Sequence, residues 1–225
     1  MTDLTIITGT KTYSSWSLRG WLAVTHTGLE FSEINLPLDT PEFHERIKTL
    51  SPSGFVPALQ HGDVKVWDSL AIIDYCARLA PGRFWWPDEM AAYGFARSIV
   101  AEMHSGFMAL RAAAPMNLRD QRHGLTLSDA VQKNVSRIDA LWAEARERFG
   151  AGGDFLFGGF SAADMMYAPV VARFLSYGIG LSKTASAYRD AVRAYPFVNA
   201  WYEAAAKETQ VVTQDEIAPD ATHLG

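Results

Sequence analysis

Apolar residues run along this chain in two rhythms. In the first eighty or so positions, short apolar runs alternate with helical stretches. Residues 4–8 (Leu-Thr-Ile-Ile-Thr) are apolar and β-branched, which predicts a short buried strand. Residues 17–27 place Leu18, Trp21, Leu22 and Thr25 on one helical face, and Gly28 follows as the stop. Residues 31–36 alternate as a second strand. Thr40 before Pro41 is a cap followed by proline at the first helical position, so a helix is expected over 41–50. Residues 57–60 and 64–67 flank His61-Gly62-Asp63, a hairpin signal, and 69–79 read as a helix. The order β-α-β-α-β-β-α favours a right-handed parallel crossover at the start and an antiparallel hairpin at the edge.

After residue 87 the strand signals stop. Helical patterns are expected over 88–113, 127–149, 161–173, 184–195 and 196–207. The Pro/Gly segment Ala80-Pro81-Gly82-Arg83-Phe84-Trp85-Trp86-Pro87-Asp88 divides the two patterns. This predicts an α/β domain over 1–80, a linker over 81–87 and an all-helical domain over 88–225, with Trp85 and Trp86 stapling the two together. Residues 211–225 read as a loosely docked tail.

Composition narrows the function. Of 225 residues 48% are hydrophobic, and 20 basic against 25 acidic side chains give a net charge of −5. A chain this acidic lacks the basic stripe of a nucleic-acid binder. The single cysteine, Cys76, excludes a disulfide framework and a multi-cysteine zinc site, and no metal is expected. No signal peptide and no membrane-spanning stretch is evident, so a cytoplasmic protein is expected.

Three motifs carry candidate chemistry. Tyr13-Ser14-Ser15-Trp16-Ser17-Leu18-Arg19 lies between the first strand and first helix. Its hydroxyls sit at a helix N-terminus, where they either cap the first turn or help hold an anion. No G-x-S-x-G elbow or C-x-x-C pair is present, which excludes the corresponding hydrolase and redox chemistries. Ser53-Gly54-Phe55-Val56-Pro57-Ala58-Leu59 contains Val56–Pro57, a candidate cis peptide that would turn the main chain of Val56 towards a ligand. In Trp67-Asp68-Ser69-Leu70, Asp68 and Ser69 open a helix. They read either as an N-cap or as the receptor for a zwitterionic amino-acid head group. In that second reading Ser69 meets the carboxylate and Asp68 the ammonium.

Ligand positions at strand ends and helix starts of one small α/β unit, joined to an all-helical half, resemble the glutathione transferase family. The residues that carry this are Val56–Pro57, Asp68–Ser69 with Ala71–Ile72, and the later Ser161-Ala162-Ala163-Asp164, a helix capping box. The resemblance spans nearly the whole chain. It implies a thioredoxin-like N-terminal domain followed by an all-helical C-terminal domain, and a two-fold homodimer. Ser14-Ser15-Trp16-Ser17-x-Arg19 is most similar to the serine-type, zeta-like branch that includes maleylacetoacetate isomerases. Trp16 stands where that branch has cysteine, which argues against cysteine-dependent redox reactions. Asp68 replaces the more usual Glu or Gln.

The resemblance further implies glutathione as cosubstrate. Its γ-glutamyl head would lie at Asp68 and Ser69, its cysteinyl backbone would pair with Val56, and its sulfur would face Ser14, with Ser15 as second candidate. Lys11, His44 and Lys48 are the candidates for its glycine carboxylate. A small electrophile would lie against Met103, His104, Phe107, Met108 and Arg111. The last four fall at i, i+3, i+4 and i+7 of one expected helix, with Gly106 in its middle. Arg111 there would either favour an acidic electrophile or make a structural salt bridge. Catalysed conjugation, a maleylacetoacetate-type isomerisation and a non-catalytic carrier role are the functions carried forward.

Overall fold

A computed structural model describes residues 3–225; Met1 and Thr2, the start of the expected 1–80 unit, lie outside the described residues. Strand β1 (Leu4–Gly9) runs through helix α1 (Ser15–Thr27) into β2 (Ser32–Leu36), which pairs parallel to it with Gly9 opposite Leu36. Helix α2 (Pro41–Leu50) follows, then the antiparallel hairpin of β3 (Ala58–His61) and β4 (Val64–Trp67), then α3 (Ser69–Leu79). The sheet order is β2-β1-β3-β4. This is the thioredoxin-like arrangement.

The two-residue alternation of β1 divides its core. Ile6 faces Leu18, Leu22, Ile72 and Cys76 under α1 and α3, whereas Ile7 faces Leu36, Phe43 and Ile47 under α2. Both isoleucines are fully buried, so truncating either to alanine is expected to cost roughly 2–5 kcal/mol. Thr40 caps α2 as its sequence predicts, accepting from Phe43 N at 3.1 Å. Gly28 closes α1 with a positive φ of 73°.

The C-terminal half is helical: α4 (Met90–Ser105), α5 (Met108–Ala113), α6 (Asp129–Phe149), α7 (Ala162–Ser176), α8 (Lys183–Ala194) and α9 (Pro196–Ala205). Nearly all of α7 is buried, and α1 packs against it, so the two halves share one core. Ser161 and Asp164 form the expected capping box. Buried Trp85 gives its indole N–H to Ala80 O, accepts from Ala162 N on its own carbonyl, and meets His26 edge-on. Trp86 lies under the guanidinium of Arg97.

Two expectations are corrected. The helix expected over 88–113 breaks at Gly106, which ends α4, and Phe107 turns the chain with φ 57°. A β-carbon on Gly106 would lie 2.6 Å from Glu102 O, so the break needs glycine. The tail is not loosely docked. Val212 and Leu224 are buried, and β5 (Thr126–Leu127) pairs in parallel with β6 (His223–Leu224). Arg122 donates to Ala218 O and Ile217 O. The polar composition hid these main-chain contacts. Among the described residues no helix is long and apolar enough to cross a membrane.

Candidate functional site

The hairpin and the start of α3 frame a cavity of about 270 Å³ lined by Trp16, Ser53, Phe55, Val56, Pro57, Trp67, Asp68 and Ser69. The Val56–Pro57 peptide is cis. Val56 lies before β3 begins, and its main-chain N–H and C=O make no hydrogen bond among the described residues. They remain open to an extended ligand backbone.

Asp68 carries a positive φ of 72°, a strained conformation for a non-glycine residue, costing on the order of 1–3 kcal/mol. One carboxylate oxygen caps α3 through Leu70 N at 2.8 Å. The other lies 3.4 Å from His104 Nε2. Beside it the Ser69 hydroxyl is fully buried and has no hydrogen-bond partner. A buried hydroxyl without a partner is uncommon and costs about 1–3 kcal/mol, so a ligand that pairs it recovers that loss. Capping and ligand binding are therefore both open to this pair of residues.

The loop after β1 supplies the second half of the site. Ser14 caps α1, accepting from Ser17 N at 3.3 Å, and its hydroxyl meets Ser17 Oγ at 2.8 Å. Ser17 Oγ also accepts from Gly9 N at 2.9 Å. Ser15 opens α1, and its hydroxyl has no hydrogen-bond partner among the described residues. Both serines face a second cavity of about 370 Å³, which shares Trp16, Phe55 and Val56 with the first.

That second cavity carries charges of both signs. Arg111 and Arg173 line it, and so do Asp39 and Asp215, of which Asp215 interacts electrostatically with Arg173. Arg19 and Arg111 each place a guanidinium carbon 4.7 Å from the Trp16 ring centroid, so the indole meets both cations. Arg19 is fully buried; burial, then Arg173 and Arg111, lowers its pKa to about 9. Arg173 is lowered to about 10 by burial and Arg111. Burial also lowers Arg111. Carbonyl oxygens hold all three: Arg19 Nε on Met166 O, Arg173 Nε on Ala114 O, and Arg111 Nη1 on His104 O at 3.2 Å. None of them has a carboxylate within ion-pair distance, so the structural salt bridge considered for Arg111 is absent among the described residues.

The break at Gly106 scatters the other expected pocket residues. Met103 is fully buried in the core, Phe107 is nearly so, and Met108 is 63% exposed; only Arg111 of the set lines the second cavity. His104 instead reaches the first domain, edge-on to Trp16 at 5.3 Å between centroids and beside Asp68. Of the three candidates for the glycine carboxylate, Lys11 is buried against Glu33 and Trp201, Lys48 is exposed, and His44 lines the second cavity. Sequence reasoning missed Arg173. Its signal was the only basic residue in the largely apolar run of α7.

Residues 13–79 match the family model described as "Glutathione S-transferase, N-terminal domain", and residues 128–204 match "Glutathione S-transferase, C-terminal domain". The chain belongs to the glutathione S-transferase family. Among curated proteins it is 25% identical over 178 residues to "Glutathione S-transferase 1" of Dianthus caryophyllus, covering 75% of this chain and 76% of that one. It is also 25% identical over 170 residues to "Maleylacetoacetate isomerase" of Rattus norvegicus, with the same coverage of 75% and 76%. A glutathione transferase homolog from Burkholderia, solved with bound glutathione, superposes with a TM-score of 0.69 at 20% identity, covering 92% of this chain and 100% of that chain.

Proposed function

We propose that this chain binds glutathione in the first cavity and activates its thiol for attack on a small acidic electrophile in the second. The observation that carries this reading is the buried, unpartnered hydroxyl of Ser69 beside the strained Asp68. A γ-glutamyl carboxylate would accept from Ser69 Oγ while Asp68 accepts from the ammonium. Val56 would exchange main-chain hydrogen bonds with the cysteinyl unit. His44, which lines the adjoining second cavity, is the candidate left to donate to the glycine carboxylate.

Free thiols have a pKa near 8.5, so only a few per cent is thiolate at neutral pH. Ser14 would donate to the sulfur anion. Its hydroxyl is paired with Ser17 Oγ, but hydroxyl rotors reverse readily. With Ser17 donating instead, Ser14 retains its hydrogen bond and gains a proton to offer. Ser15, whose hydroxyl is unpaired, is the second candidate. The N-terminus of α1 adds a favourable dipole for the anion.

Arg111, which has no ion-pair partner among the described residues, would favour a carboxylate-bearing electrophile even though Asp39 and Asp215 line the same cavity. The similarity to a maleylacetoacetate isomerase supports a second reading, in which the thiolate adds reversibly to a dienoic acid and isomerises it. Trp16, in the place of that branch's cysteine, excludes a cysteine of the protein from either reaction. The homodimer implied by the resemblance has the exposed apolar side chain of Met90, outside both cavities, in its favour.

A glutathione-dependent panel of aryl halides, organic peroxides and maleylacetone tests the proposal. Turnover with a preference for maleylacetone is expected. Glutathione binding with neither turnover nor thiolate absorbance would leave a carrier protein instead.

A further inference from the structure

The loop that delivers Ser14 is held from the far end of the chain. Thr10 O accepts from Tyr13 N at 3.1 Å and Ser14 N at 2.9 Å, making the turn that places Ser14. The sequence Thr10-Lys11-Thr12-Tyr13 has neither proline nor glycine to fix that turn locally. External partners do so at each residue. Thr10 Oγ1 donates to Gln210 Oε1 at 2.7 Å, Lys11 O accepts from Trp201 Nε1 at 3.1 Å, and the Tyr13 hydroxyl donates to Glu216.

Glu208 is the centre of this clamp. One carboxylate oxygen accepts from Lys11 N at 2.7 Å; the other accepts from Thr12 N at 2.9 Å and Thr12 Oγ1 at 3.0 Å. Two successive amides thus point at one anion, and bonds to an ionised acceptor are about twice as strong as neutral ones. Lys11 and Thr12 are themselves buried, and the half-buried Glu208 is the carboxylate that meets their amides.

We infer that Glu208 is a positioning residue for glutathione activation: by fixing the amides of Lys11 and Thr12 it sets where the Ser14 hydroxyl points. This rests on the glutathione reading above and adds to it a residue from outside both cavities. Glu208 lines neither cavity, so it governs the reactivity of bound glutathione rather than its capture.

The test compares Glu208→Ala and Glu208→Gln with the wild-type full chain, using glutathione and a neutral aryl halide. Expected for Glu208→Ala are a kcat lower by about tenfold, the size of one lost charged hydrogen bond, and a KM for glutathione within about twofold. The ultraviolet thiolate absorbance of bound glutathione should fall in parallel. Glu208→Gln, retaining one acceptor oxygen, should lie between. Wild-type thiolate absorbance in Glu208→Ala would overturn the inference, whether or not kcat and KM change. Should Glu208→Ala not fold, Gln210→Ala, which releases Thr10, is read the same way, and an unchanged thiolate signal there overturns it equally. A wild-type chain that shows no thiolate signal with glutathione removes the underlying reading and this inference with it.

Discussion

Asp68 of the α/β domain and His104 of the helical domain meet across the site, with Asp68 Oδ2 3.4 Å from His104 Nε2. The other Asp68 oxygen caps α3. The oxygen facing His104 is therefore the one left to accept from a ligand ammonium. Both side chains are partly exposed, so their direct attraction contributes little to stability. Asp68→Ala is expected to weaken glutathione binding about tenfold or more, as loss of a charged hydrogen bond does. His104→Ala should change it far less. Calorimetric titration measures both, and unchanged affinity in Asp68→Ala would leave that residue only its capping role.

Ser14→Ala should raise the pKa of bound glutathione and lower kcat while leaving its binding nearly intact. Ser15→Ala should have the smaller effect. Thiolate absorbance against pH compares them directly. Abolished activity in Ser15→Ala with a silent Ser14→Ala would transfer the role to Ser15.

Arg111→Ala should lower kcat/KM for maleylacetone by roughly 1.5–3 kcal/mol of lost charged hydrogen bonding. A neutral aryl halide presents no anion, so its turnover should barely move. Steady-state kinetics on the two substrates decides the matter, and equal losses on both would point to damage at Trp16, against which Arg111 stacks.

Asp164 gives a pH-dependent contribution to stability. Burial raises its pKa from 3.8 to about 6, against the hydrogen bonds it accepts from Ser161 and Leu156. The folded state holds the proton more tightly than the unfolded one. This contribution is thus complete below about pH 4 and is lost as pH rises through about 6, a change on the order of 3 kcal/mol. Asp164→Asn should abolish that component. Denaturant unfolding of both proteins across pH 4–7 checks it, and parallel curves would contradict it.

Light scattering at micromolar concentration should return twice the chain mass of 24.8 kDa. A value near the monomer mass would remove the homodimer.

Local chemistry made most of this fold legible. Thr40-Pro41 marks the start of α2, Gly28 ends α1, and the Ser161/Asp164 box starts α7, because each acts on neighbours within a few residues. Gly106 was misread because helical periodicity continues on both sides of it, while the break depends on a close approach to Glu102 O. The cis Val56–Pro57 peptide and the Asp68 cap rest on short motifs and were visible in the same way. Arg173 and Glu208 were not: each lies far along the chain from the serines, and only tertiary packing brings them near.

The clamp on the loop before Ser14 also orders events in time. Thr12 and Glu208 are 196 residues apart, and Tyr13 and Glu216 are 203 apart. During synthesis the ribosome releases the loop long before its partners. The α/β domain can collapse on its own strands, since domains fold as units from the N-terminus. Its serine loop, however, gains these hydrogen bonds only once residues 208–216 have been made. Contacts so distant in sequence form slowly, because a large loop must close first. A chain stalled before residue 208 would therefore carry both serines without the carboxylate that clamps the loop before them.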